Sequence, residues 1–390
     1  MFRGLISTGF LFIGLLASCG HPVPPVRPGA EQLDRYLPLL ADKRFALVAN
    51  HSSLVGQAHL VDTLLRSGIE RDQLLKVFAP EHGFRGDRAA GVPIEDGTDP
   101  ETGIPVVSLY GNHRKPAPGE LAGVELMVFD LQDVGARFYT YISTLTYVME
   151  ACAEMDIPVV LLDRPNPNGA YVDGPVLDTA FRSFVGMHPV PVVYGLTLGE
   201  LAGMINGEGW LSGGIRCDLK VIPCKGYTHG WSGHLPVPPS PNLPNDHAIM
   251  LYPSTCFFEG TVLSEGRGTP MPFEVYGHPE LPGAFSFTPV SIPGVARNPK
   301  FEGRTCYGTD LRSFIPDAGW TGFTLRWVLE AYAGFPGKEE FFTSYFDTLA
   351  GTDRLRTQIE AGWDEQRIRE SWQEELEQYA QLRKKYLIYE

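Results

Sequence analysis

Short apolar runs alternate with stretches of helical spacing through the first half of the chain. Phe45 to Ala49 is an unbroken apolar run, which predicts a buried strand. Ala58 to Arg66 places its apolar residues at helical spacing and stops at Gly68. Leu74 to Ala79, Pro105 to Leu109, Glu125 to Phe129, Pro158 to Leu162 and Asp218 to Ile222 are further strand-like runs. Between them Tyr139 to Met155 reads as helix, and Thr197 with Glu200 forms a capping box that opens a helix through Ile205. Strands alternating with helices in this way predict an α/β fold, a parallel sheet with helices on both faces.

The pattern changes after Pro236 to Pro244, which holds five prolines in nine residues and marks a domain seam. Beyond it Phe285 to Ile292 is strand-like and Thr321 to Ala333 is helical. Glu365 to Tyr386 predicts one charged, amphipathic helix with Trp372, Leu376, Tyr379 and Leu382 along its seam.

The start of the chain reads as an address. Arg3 precedes the apolar run Gly4 to Ala17, which is too short to span a bilayer. Leu16-Ala17-Ser18-Cys19 matches a bacterial lipobox, so Cys19 is the expected site of acylation and the lipid bilayer an expected partner. The expected division is a lipoprotein signal peptide over 1–19, a proline-rich tether over 20–30, the sheet domain over 31–240 and a smaller α+β domain over 241–390. Gly20, not Asp, follows the cysteine, which gives no argument for inner-membrane retention. The expected location is the cell envelope, on the periplasmic side of the outer membrane in a Gram-negative cell.

Composition narrows the chemistry. A net charge of −14 makes nucleic acid an unexpected partner. Of six cysteines, five remain if Cys19 is acylated, so at least one is unpaired; Cys217 and Cys224 could bridge. C-x-x-C and H-E-x-x-H are absent, and no metal or other cofactor is expected. The first βα turn, Asn50 to Gly56, lacks G-x-G-x-x-G, which argues against a dinucleotide enzyme. Gly230-Trp231-Ser232-Gly233 lacks the last glycine of a nucleophile elbow, which argues against a serine hydrolase.

Ligands of open parallel sheets bind beyond the carboxyl ends of the strands. Four predicted strands are followed there by dense polar sequence: Asn50-His51-Ser52-Ser53, Pro80 to Gly86, Asp130 to Tyr141, and Asp163 to Gly169. Amides and carboxylates bind sugar hydroxyls, aromatic rings stack on a sugar face, and arginine pairs with an acidic substituent. Glu81 is the candidate general acid, since Gly83-Phe84 can bring apolar surface close. His82 and Asp130 are further catalytic candidates. Asn50, Tyr139, Asp163 and Asn166 are candidate sugar contacts, and Arg137 and Arg164 candidate receptors of an acidic group. Each also has a structural reading: Arg137 and Arg164 could pair with the nearby aspartates, and strand-end aspartates commonly bind loop amides. Asn242, Glu259 and Arg267 add polar groups from the second half, in Ser240-Pro241-Asn242, Glu259-Gly260-Thr261 and Gly266-Arg267-Gly268-Thr269.

Taken together, these motifs resemble one family. Ala79-Pro80-Glu81-His82-Gly83-Phe84, Asp133 to Tyr141, Asp163-Arg164-Pro165-Asn166-Pro167, Pro239-Ser240-Pro241-Asn242 and the Glu259 and Arg267 motifs follow the order of the NamZ-type exo-β-N-acetylmuramidases, glycoside hydrolase family 171. The resemblance covers roughly residues 31 to 390 and is weakest over the last hundred. It implies a Rossmann-like N-terminal domain, a smaller C-terminal domain and a cleft between them. It also implies removal of N-acetylmuramic acid from the non-reducing ends of peptidoglycan-derived saccharides without metal or nucleotide, with the catalytic glutamate carried onto Glu81. The alternative is a lipoprotein that holds muropeptides without cutting them.

Overall fold

The computed structural model describes residues 25–81, 83–85, 97–316 and 322–390. His82 and Cys19 lie outside these residues. The strands of the first half are β1 (Phe45–Ala49), β2 (Leu54–Val55), β3 (Ala58–His59), β4 (Leu74–Ala79), β5 (Gly97–Thr98), β6 (Pro105–Ser108), β7 (Leu126–Asp130), β8 (Val159–Leu162) and β9 (Leu219–Ile222). Seven of them form one sheet in the order β5-β6-β4-β1-β7-β8-β9, parallel except for β5 at one edge. β2 and β3 form a small hairpin after β1.

Alternation along the buried strands feeds two cores, because successive side chains leave opposite faces. Phe45, Leu47 and Ala49 of β1 pack with helices α1 (Leu33–Leu40) and α2 (Leu60–Arg66). Ala46 and Val48 pack with α3 (Tyr141–Glu154) and α4 (Leu198–Gly207). The capping box of Thr197 and Glu200 opens α4. From β1 the chain moves through β4 to β6 on one side, then through β7, β8 and β9 on the other. The order reverses between β1 and β7, where a crevice opens at the carboxyl ends.

The second half adds α5 (Asp246–Thr255) and a small antiparallel sheet of β10 (Val275–His278), β11 (Phe285–Phe287) and β12 (Cys306–Asp310). Helices α6 (Arg326–Gly334), α7 (Ser344–Ala350), α8 (Arg354–Glu360), α9 (Glu365–Glu370) and α10 (Gln373–Arg383) follow. One apolar cluster runs unbroken from Val48 through Phe257 and Phe346 to Tyr379, so both halves share a core.

Three expectations change. The strand expected through Ile292 stops at Phe287, shortly before Pro289, which has no N–H for a ladder. The single helix expected over 365–386 is two, broken where buried Trp372 takes φ −114° and ψ 4°. The end of the expected tether belongs to the fold: Arg27 exchanges backbone hydrogen bonds with Lys225, and the Gly29 N–H donates to the Asp163 carbonyl at 2.7 Å. The five cysteines among the described residues are buried and unbridged.

Candidate active site in a two-chambered cleft

Glu81 follows β4 on the rim of the crevice. The Tyr110 hydroxyl donates to its Oε1 at 2.9 Å, and the Thr140 hydroxyl donates to its Oε2 at 3.4 Å. Tyr110 follows β6 and Thr140 stands at the start of α3, so the segments beyond β4, β6 and β7 converge on one carboxylate.

Two cavities meet at this point. The first, of about 410 Å³, is walled by Glu81, Tyr110, Arg114, Phe138, Tyr139, Thr140 and the segment 183–185 from the sheet half, and by Ser240, Asn242, Tyr252, Glu259, Arg267, Phe273, Tyr345 and Thr348 from the other. Its aromatic side is closely packed. Tyr252 meets Phe138 and Phe273 edge to face at 5.3 Å and 4.9 Å, and the Tyr139 hydroxyl donates to the Pro239 carbonyl at 2.7 Å. Two buried atoms of lining residues, Ser183 Oγ and Asn242 Oδ1, have no hydrogen-bond partner among the described residues. The Asn242 amide is oriented by its other end, which donates to the Val295 carbonyl at 3.0 Å. The second cavity, of about 310 Å³, shares Glu81, Tyr110 and Arg267 and continues along Val295 to Lys300.

Glu259 and Arg267 form an ion pair on the first wall, with Nε and Nη2 donating to Oε1 at 2.9 Å and 2.6 Å. The Cys256 thiol lies 4.0 Å from Glu259 Oε2. Burial acts to lower the Arg267 pKa, but Glu259 and Glu265 outweigh it and hold the group firmly charged. Lys300 Nζ lies 3.3 Å from Glu265 and donates to the carbonyls of Phe258, Glu259, Thr261 and Leu263, bracing the segment that carries Glu259.

Other polar residues expected at the rim hold the scaffold instead. Asp130 and Arg164 form a buried bidentate pair, at 2.6 Å and 2.9 Å, and Arg164 also donates to the Leu54 carbonyl. Arg137 is buried and donates to the carbonyls of Pro175, Val190, Leu349 and Ala350, tying the sheet half to the end of α7. Asp163 accepts from Thr197, Tyr389, Gly199 and the Arg164 amide, and burial pushes its pKa up to about 6. Asn166 bonds the Leu196 carbonyl and the Asn168 amide, beneath Gly135, whose φ is +77°. A Cβ on Gly135 would lie 2.2 Å from the Asn166 amide oxygen, so only glycine fits there. Asn50 donates to the Tyr141 hydroxyl at 2.6 Å and accepts from Ser52. None of these residues lines either cavity. A buried strand end must satisfy its loop amides, and these side chains do so.

The two halves of the chain match two consecutive family models. Residues 45–247 match the N-terminal model of exo-beta-N-acetylmuramidase NamZ, and residues 250–389 its C-terminal model. The chain belongs to the NamZ family. A peptidoglycan beta-N-acetylmuramidase NamZ of Bacillus subtilis (strain 168) is 39% identical, over 94% of this chain and 92% of the relative. A DUF1343 family protein of Bacteroides fragilis NCTC 9343 has a crystal structure with a TM-score of 0.87 and 45% identity, covering 94% of this chain and 99% of that one. A second from the same organism has a TM-score of 0.77 and 27% identity, covering 94% and 100%. The cleft gathers Glu81, Tyr139, Asn242, Glu259 and Arg267 from the sequence candidates. It also takes Tyr110 and Arg114, which sequence reasoning passed over although they follow the predicted strand Pro105 to Leu109. Tyr345 and Thr348 reach the cleft from α7, three residues apart on one helical face.

Proposed function

We propose that this chain is an exo-acting β-N-acetylmuramidase that releases N-acetylmuramic acid from the non-reducing ends of peptidoglycan fragments, with Glu81 as general acid and base. Family membership supports the substrate class. The observation that carries the role of Glu81 is its position in the wall between the two cavities. Cleaving a glycosidic bond requires a proton on the oxygen that joins two sugars, hence a carboxyl shared by the sites on either side. Glu259 lines the first cavity and Glu265 the second; Glu81 is the carboxyl common to both among the described residues. The first cavity, sized for one substituted ring, takes the muramic acid, and the second takes the leaving sugar. The test is release of N-acetylmuramic acid from a chromogenic muramide by wild type and Glu81→Gln. Release that vanishes in a folded variant supports the assignment, normal turnover by the variant overturns it, and binding without release by the wild type favours the carrier reading.

We further propose that the protein is held at the envelope by acylated Cys19. The lipobox supports this, and among the described residues no helix is long and apolar enough to cross a membrane. Cys19→Ala is expected to move the protein from the membrane to the soluble fraction.

A further inference from the structure

Two cations line the first cavity among the described residues, and they differ in how they are matched. Arg267 faces Glu259 and Glu265, so its charge is balanced inside the protein. Arg114 has no carboxylate partner among the described residues. Its neighbours in sequence do: His113 Nε2 lies 3.1 Å from Glu120, and Lys115 Nζ lies 3.4 Å from Glu150 and 2.7 Å from Glu154. Of three consecutive basic side chains, the middle one is uncommitted, and it is the one on the cavity wall.

A ring holds Arg114 in place. Its guanidinium carbon lies 4.2 Å from the centroid of Phe184. Phe184 stacks in turn on Tyr147, with centroids 6.3 Å apart and planes 12° apart. The Ser143 hydroxyl donates to the Phe184 carbonyl at 2.6 Å, fixing that segment to α3. Stacking of this kind orients a guanidinium while leaving its N–H donors unused. An oriented, unpaired fork beside a sugar cavity is a receptor for a planar anion.

We propose that Arg114 receives the lactyl carboxylate of N-acetylmuramic acid and is the residue by which the cavity distinguishes this sugar from N-acetylglucosamine. The inference rests on the muramidase reading above. The two sugars differ at O3, where the muramic ring carries an ether ending in a carboxylate and the other ring a hydroxyl. An ester at the lactyl carbon removes the charge and leaves one good acceptor in place of two. Arg114 therefore reads the free acid.

The test compares chromogenic muramide, its lactyl methyl ester and the corresponding glucosaminide as substrates for wild type, Arg114→Met, Arg114→Lys and Arg297→Ala. Arg297 is exposed, lines the second cavity and also lacks an acidic partner among the described residues, so it serves as the competing cation. The wild type is expected to favour acid over ester by about 10–100-fold in kcat/KM, the range of one charge-assisted pair. Arg114→Met should collapse that preference toward unity, chiefly through KM, with an unchanged melting temperature because the side chain is exposed. Arg114→Lys should restore part of it, and Arg297→Ala should keep it whole. Full preference in Arg114→Met, or its loss in Arg297→Ala instead, overturns the role of Arg114 while leaving a working muramidase. A wild type that releases nothing from any of the three defeats the muramidase reading and this inference with it.

Discussion

The Tyr110 hydroxyl donates to Glu81 Oε1 across 2.9 Å, joining the end of β6 to the end of β4. A carboxyl that moves a proton must be held in one orientation relative to the bond it serves. Tyr110→Phe keeps the ring and removes the donor. It is expected to lower kcat by about 10–100-fold, the scale of one lost hydrogen bond to a charged group, with little change in melting temperature. Single-turnover kinetics checks this, and unaltered kcat would show that Tyr110 does not position Glu81.

The pair Asp130–Arg164 predicts the opposite behaviour. Both side chains are buried, and removing one partner leaves an uncompensated charge, at a cost of about 3–5 kcal/mol. Asp130→Asn should therefore lose stability in denaturant unfolding while the surviving folded fraction still turns over. Wild-type stability with abolished turnover would instead return Asp130 to the catalytic machinery.

Arg137→Lys separates charge from geometry. Lysine keeps the cation but has one nitrogen where arginine uses two, Nη1 for the carbonyls of Pro175 and Val190 and Nη2 for those of Leu349 and Ala350. Because α7 carries Tyr345 and Thr348 into the cleft, the variant should both melt earlier and show raised KM. A change in melting temperature with KM untouched would mean that α7 keeps its place without this clasp.

Asp133 predicts a pH effect on stability. Burial raises its pKa from 3.8 to about 7, against hydrogen bonds from the Tyr194 hydroxyl and the Gly135 amide. A carboxyl with a raised folded-state pKa binds its proton more tightly when folded. Its contribution is fully present below the unfolded value and is lost as pH rises toward about 7. Asp133→Asn retains the acceptor for Tyr194 and Gly135 without ionising. Its melting temperature should therefore fall less than that of the wild type between pH 4 and pH 7. Parallel curves for the two proteins would exclude Asp133 as a source of the slope.

The fold was legible wherever burial on both faces left an unbroken apolar run. Phe45–Ala49 and Leu74–Ala79 are strands over the residues that the pattern marks. Helix α7 was not read from the pattern, although α2, of the same seven-residue length, was. For the site, the strand-end rule finds the crevice but not the direction of each side chain. Asp163 and Glu81 both follow strands with polar sequence behind them; one turns into the protein to satisfy loop amides, and the other faces the cleft. Tyr110 and Arg114 carry the same signal after their own strand. Tyr252, Phe273 and Tyr345 do not, since apolar and aromatic positions read as core until a cavity beside them is seen.

Asp163 also joins the two ends of the fold. It receives the backbone of Gly29 on its carbonyl and the hydroxyl of Tyr389 on its carboxylate. Segments separated by most of the chain's length thus meet at one strand end, a closure of high contact order. A polypeptide emerging from its N-terminus can make the Gly29 contact once β8 exists but adds the Tyr389 contact last, so this clasp is completed only when residue 389 has appeared.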